Sequence, residues 1–216
     1  MKHFISILSV MLAFSAYASA QTWFCTEPGT RVSYIQKDAI GAPQNGAVQY
    51  AIKDVARTGS STVITYDVTV ADKSGASVSH PGCVAKSDGK AFTADAGAAM
   101  GQFDKGLDIK GSAPGIPENP VIGEKIADTS ISIESLMANV SYSNIRFTKH
   151  EQVTTLAGSF DCWCLEYDVR GTVAFINLDT KVEQWMAKGV GEVLVITRNK
   201  GGKVQNVKEL VNIVKM

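Results

Sequence analysis

The run Phe160-Asp161-Cys162-Trp163-Cys164-Leu165-Glu166-Tyr167-Asp168-Val169 decides how the rest of the chain is read. Trp163, Leu165, Tyr167 and Val169 recur at every second position, and Cys162, Cys164, Glu166 and Asp168 alternate with them. A period of two places the first set on one face of a β-strand and the second set on the other. The same period runs through Ile64, Tyr66, Val68 and Val70, with Thr65, Asp67 and Thr69 between them. It also runs through Val48, Tyr50 and Ile52. β-Branched and aromatic residues dominate these runs, as a pleated, half-buried surface requires.

Working outward, further strands are expected at 31–36, 77–86, 107–112, 129–135, 142–154, 171–177, 192–198 and 204–213. Turn residues separate them: Gly59-Ser60-Ser61, Ser74-Gly75, Asp88-Gly89, Ala157-Gly158 and Asn199-Lys200-Gly201-Gly202. Strands joined by such short bends pair antiparallel, because parallel pairing needs long, usually helical, crossovers. Helix signals are few. Ala94 to Phe103 is alanine-rich, but Gly97 and Gly101 each weaken a helix by ~1 kcal/mol. Ile133 to Val140 has room for one or two turns. Segment 111–123 carries Pro114, Pro117 and Pro120 and reads as a rigid connection near mid-chain. The expected fold is all-β and mainly antiparallel: a curved or barrel-like sheet of about ten strands with at most one or two short helices. Residues 21–216 show no repeat and no shift in composition, which favours a single β-rich domain.

The first twenty residues read separately. Lys2 is followed by an apolar stretch from Phe4 to Leu12, and Ala18-Ser19-Ala20 supplies small residues at a cleavage site. This is the pattern of a secretory signal peptide cleaved between Ala20 and Gln21. The product is expected in the periplasm or outside the cell, and no later run is long and apolar enough for a spanning helix. The full chain has 216 residues with 21 Lys+Arg and 21 Asp+Glu, so it lacks the broad basic field that binds nucleic acid. Its hydrophobic content of 45% is too high for a disordered chain.

Two motifs resemble those of the TapB-like family of exported Bacteroidetes proteins. The first is Thr155-Leu156-Ala157-Gly158-Ser159-Phe160-Asp161-Cys162, and the second is Trp185-Met186-Ala187-Lys188-Gly189-Val190-Gly191. Gly123-Glu124 and Pro28-Gly29-Thr30 fit the same layout. Two positions depart from it: Leu156 stands where proline is usual, and Cys164 is an additional cysteine. The resemblance implies a single, mainly antiparallel β structure and brings no catalytic residues with it.

Four cysteines in an exported chain, Cys25, Cys83, Cys162 and Cys164, are candidates for disulfides, and three connectivities are open. Cys162 and Cys164 lie ~6.6 Å apart along one strand face, awkward for a mutual bridge. Pairing of each with one of Cys25 and Cys83 is therefore favoured. The spacing does not suit structural zinc, and no metal or other cofactor is expected. His80 and His150 have no ligand-like neighbours, no nucleophile elbow or phosphate loop is present, and Glu166 with Asp168 reads as a solvated strand face. The expectation is therefore a non-enzymatic envelope protein that binds an apolar ligand such as a lipid, or a protein partner. The alternative is a scaffold subunit of an envelope complex. Tyr50, Tyr66, Trp163, Tyr167 and Trp185 stand as candidates for lining an apolar cavity in the curved sheet.

Overall fold

The computed structural model describes residues 21–38, 43–72, 74–99 and 107–216. The signal-peptide reading of residues 1–20 lies outside these, as does the latter part of the alanine-rich stretch. Among the described residues the chain forms β1 (Thr30–Asp38), β2 (Pro43–Thr58), β3 (Ser61–Ala71), β4 (Ser77–Ser87) and β5 (Ala91–Ala94). A four-residue helix α1 (Ala96–Ala99) follows, then β6 (Ile109–Gly111), β7 (Ile116–Pro117) and β8 (Thr129–Ile133). The long hairpins of the second half are β9 (Ala138–Thr155), β10 (Gly158–Val173), β11 (Ile176–Ala187), β12 (Gly191–Asn199) and β13 (Val204–Lys215). All thirteen join one sheet in the order β6-β8-β9-β10-β11-β12-β13-β1-β2-β3-β4-β5-β7.

Every ladder between these strands is antiparallel. The all-β, curved-sheet expectation therefore holds, with more strands than the sequence suggested. The first strand pairs with the last, Thr30 standing opposite Lys215. This join merges the two halves of the chain into one surface.

Register and period together assign the faces. Tyr34, Tyr50, Tyr66 and Val68 from β1–β3 point the same way as Leu210, Leu165 and Phe147 from β13, β10 and β9. Tyr34, Tyr66, Val68, Leu210, Leu165 and Phe147 are all buried, so this concave face carries the core. Bulges in β9–β10, at Cys164/Leu165 and again at Glu166/Asp168, bend the sheet around that core.

The sheet does not close edge to edge, but its two ends are strapped together. β6 and β7 terminate the strand order at opposite ends, yet only Ser112–Gly115 separates them in sequence. Five residues reach at most ~18 Å, so the two edges lie close. The proline-bearing segment then spans the seam. Glu118 N–H donates to the Lys90 carbonyl (2.8 Å) on one side, while Gly123 and Ile126 donate to Phe147 and Ile145 of β9 (2.8 Å each) on the other.

The segment before β1 enters the concave face. Trp23 is fully buried, stacks on Phe147 at 5.6 Å, and donates from its indole to the Pro117 carbonyl at 2.7 Å. Phe24 packs among Tyr50, Tyr66 and Phe92. Glu118 gathers the pieces at this end. It accepts hydrogen bonds from Thr22 Oγ1 (2.5 Å) and Ser87 Oγ (2.6 Å) and pairs with Lys188, whose ammonium lies 3.9 Å from the Trp23 ring centre.

One local expectation is corrected. The stretch 171–177 is not one strand: Ala174 and Phe175 form a two-residue turn at positive φ (46° and 70°) between β10 and β11. Ile133–Val140 makes one turn, as expected: the 3₁₀ helix Glu134–Leu136, ended by Met137 at φ 47°.

Candidate functional site

The packing of the concave face changes along its length. Toward Trp23 and Phe24 it is filled with aromatic rings. Farther along, Tyr50, Tyr167, Gln184, Glu192 and Lys208 are only half-buried. Five strands supply them. Gln184 faces inward from β11, opposite Leu165. A bulge between Trp185 and Met186 re-aims the start of β12 and turns Glu192 into the same space. Lys208 shares the inner face of β13 with Leu210.

These side chains form a connected network. The Tyr167 hydroxyl donates to Gln184 Oε1 (3.0 Å), and Gln184 Nε2 donates to Glu192 Oε1 (2.9 Å). Glu192 Oε2 pairs with the Lys208 ammonium, which also hydrogen-bonds Tyr50. Lys208 lies 5.1 Å from the Tyr34 ring centre and 5.9 Å from that of Tyr50. The electrostatics follow from enclosure. Burial alone depresses the Lys208 ammonium, but Glu192 and Tyr50 outweigh it and hold the group above its ordinary range. Burial pushes the Tyr34, Tyr50 and Tyr167 hydroxyls upward, with Glu192 adding to it. At neutral pH the site therefore offers neutral phenols beside one internally balanced ion pair.

The structure distributes the expected cavity-lining residues unevenly. Tyr50, Tyr66, Trp163 and Tyr167 lie on the concave face, where Tyr66 is packed against Phe24 at 4.9 Å and Trp163 stacks on His150 at 4.2 Å. Trp185 faces the opposite side of the sheet, buried beside Cys164 with Lys149 5.6 Å from its ring. Glu192, Gln184 and Lys208 were not singled out from the sequence. One signal was there: Asn206 and Lys208 share the alternation of Leu210, which puts a charge on a core-facing position.

The disulfide expectation is corrected. No disulfide joins Cys25, Cys83, Cys162 and Cys164. Cys162 and Cys164 lie on the convex side of β10, opposite Leu165. Cys25 belongs to the segment inside the sheet, and Cys83 sits across from Tyr66 on β4, so the sheet itself separates the proposed partners. Burial pushes Cys162 up to about 12 and Cys164 to about 11, which keeps both protonated and unreactive.

A depression of about 560 Å³ lies near the seam and is lined by Gly111, Asp128, Ser130, Ser141 and their neighbours. It is wide open, its walls are short hydroxyls, and its carboxylate Asp128 is paired with Lys125. Its lining is mostly exposed, whereas Tyr50, Tyr167, Gln184, Glu192 and Lys208 are half-buried. Among the described residues no three His, Cys, Asp or Glu side chains converge as a metal site, and no helix is long and apolar enough to cross a membrane.

Comparison with known proteins gives a family and a fold. A family model described as DUF3108-like matches residues 27–210. A protein from Bacteroides fragilis, inferred to be exported and described as having a YmcC-like fold, superposes with a TM-score of 0.75 at 20% identity. The match covers 90% of this chain and 100% of that one. A protein from Parabacteroides distasonis, inferred to be a lipoprotein, superposes with a TM-score of 0.72 at 18% identity, covering 90% of this chain and 99% of that one. No curated protein matches.

Proposed function

We propose that this chain, which belongs to the DUF3108-like family, is an exported envelope protein that binds an amphipathic or apolar ligand on the concave face of its sheet and performs no catalysis. The observation that carries this reading is the change in packing along that face. One part is closed by the fully buried Trp23, while the adjoining part leaves Phe24, Tyr50, Tyr167, Gln184, Glu192 and Lys208 half-buried. A concave, mostly apolar wall with a few convergent polar groups is the usual form of a small-molecule site. Export is supported by the leader-like residues 1–20, by the TapB-like motifs at 155–162 and 185–191, and by the descriptions of the two structural neighbours.

Native mass spectrometry of the protein purified from its own host tests the reading. A bound species of a few hundred daltons, lost on replacing Tyr167 and Tyr50 with alanine, is the expected result. A clean unliganded mass from several growth conditions counts against it.

The protein-partner reading has its own observation. Met137, Phe175 and Ile176 are exposed at one rim (55%, 82% and 67%), where the Ala174 amide donates to the Leu136 carbonyl. Cross-linking in the host that captures no protein at this rim removes that reading.

A further inference from the structure

The polar network at the half-buried end of the concave face carries more than the presence of a site: it selects a kind of head group. We infer that the ligand bound there has a neutral, hydroxylated head, such as a sugar or glycerol, attached to an apolar chain. This rests on the concave-face reading above.

The argument is one of charge and of hydrogen-bonding capacity. Glu192 and Lys208 neutralise each other, and the described side chains that hydrogen-bond to the pair, Gln184 and Tyr50, are uncharged; Asp95 acts on the neighbouring Tyr66. An anionic head would compete with Glu192 for Lys208 and meet the carboxylate at close range. A cationic head would compete with Lys208 in the same way. In a partly desolvated space either exchange strands a charge, which is far costlier than losing a neutral contact.

A hydroxyl needs no such exchange. A carboxylate offers about four lone-pair sites, and Gln184 and Lys208 occupy one on each oxygen of Glu192. An ammonium has three donors, and Glu192 and Tyr50 take two of those on Lys208. The network thus retains acceptor capacity at Glu192 and donor capacity at Lys208, a few ångströms apart. A hydroxyl donates and accepts at once, so adjacent hydroxyls on one small head satisfy both. The Tyr50 and Tyr167 rings beside them present apolar faces to the remainder of the ligand.

The test uses three probes with the same eight-carbon chain: octyl glucoside, octanoate and octylamine, each below the concentration at which it forms micelles. Binding to the purified protein is followed by calorimetry. Octyl glucoside is expected to bind about tenfold or more tighter than either charged probe. In Glu192→Gln that preference is expected to reverse, with octanoate gaining at the now uncompensated Lys208. The paired variant K208M/E192M replaces the ion pair with apolar groups of similar reach and protects against simple misfolding. It is expected to bind all three probes alike, and circular dichroism confirms that it is folded. Tighter binding of octanoate or octylamine by the unmodified protein overturns the head-group assignment. Equal binding of all three does so too, while leaving the concave-face site intact. If none of the three binds, the site itself falls and the assignment with it.

Discussion

Replacing Trp23 with alanine tests the most distinctive part of the architecture, a segment of chain held inside its own sheet. Trp23 has no exposed surface, stacks on Phe147 at 5.6 Å, and donates to the Pro117 carbonyl at 2.7 Å. A buried aromatic side chain removes roughly 150–250 Å² from water, and truncation of such a residue costs about 3–5 kcal/mol. The orphaned Pro117 carbonyl adds about 1 kcal/mol, partly recovered where water reaches it. The expected loss is therefore about 4 kcal/mol, a large share of the roughly 5–15 kcal/mol that holds a domain together. Trp23→Phe keeps most of the stacking area and loses the indole donor, so about 1–2 kcal/mol is expected. Urea unfolding followed by circular dichroism measures both, with the denaturant slope checked for constancy. A Trp23→Ala loss below about 1 kcal/mol would refute the reasoning, because the ring would then not be a packed element of the core.

Three further outcomes follow from local chemistry. A thiol reagent at pH 8 is expected to modify Cys83 readily and Cys25, Cys162 and Cys164 only after unfolding, giving four thiols per chain in denaturant; a count below four on non-reduced protein restores a disulfide. Because burial raises Cys162 to about 12 and Cys164 to about 11 from an ordinary 9.0, the folded state holds their protons while the unfolded chain releases them. Stability from these thiols is complete below pH 9 and lost as pH climbs toward 11–12, by on the order of 1 kcal/mol per thiol per pH unit. Alanine at both positions should flatten that part of a stability–pH curve. At the β10–β11 turn, Ala174 and Phe175 occupy positive φ that favours Asn-Gly. The paired change Ala174→Asn, Phe175→Gly is expected to raise the unfolding free energy by about 1–2 kcal/mol, and an unchanged or lower denaturation midpoint contradicts the turn geometry.

The same turn shows what sequence reading reaches and what it misses. The period-two runs at 64–70 and 160–169 identify their strands and their faces, because alternation is a property of the backbone itself. The glycine turns at 74–75, 88–89 and 157–158 lie where strands end for the same direct reason. Ala174-Phe175 carries no turn residue, so 171–177 looks continuous and β11 disappears into its neighbours. The proline segment reads as a rigid connection from its sequence. Its role in joining two sheet edges depends on pairing with Lys90, Ile145 and Phe147, which no local pattern encodes. Likewise Tyr50 and Tyr167 stand out as aromatics on apolar faces. The Glu192–Lys208 pair emerges only when a bulge in β12 and the register of β13 bring the two residues to one place.

The burial of Trp23 also constrains the order in which the molecule is completed. When the chain emerges N-terminus first, Trp23 precedes its partner Pro117 by 94 positions. Phe147 and Lys188 come later still, and β1 must wait for β13 at the far end of the chain to gain its second neighbour. The inner segment is thus made before the strands that enclose it. Contacts of such long separation slow folding, and a product cut short of β9 lacks both the Phe147 and the Lys188 that pack on Trp23.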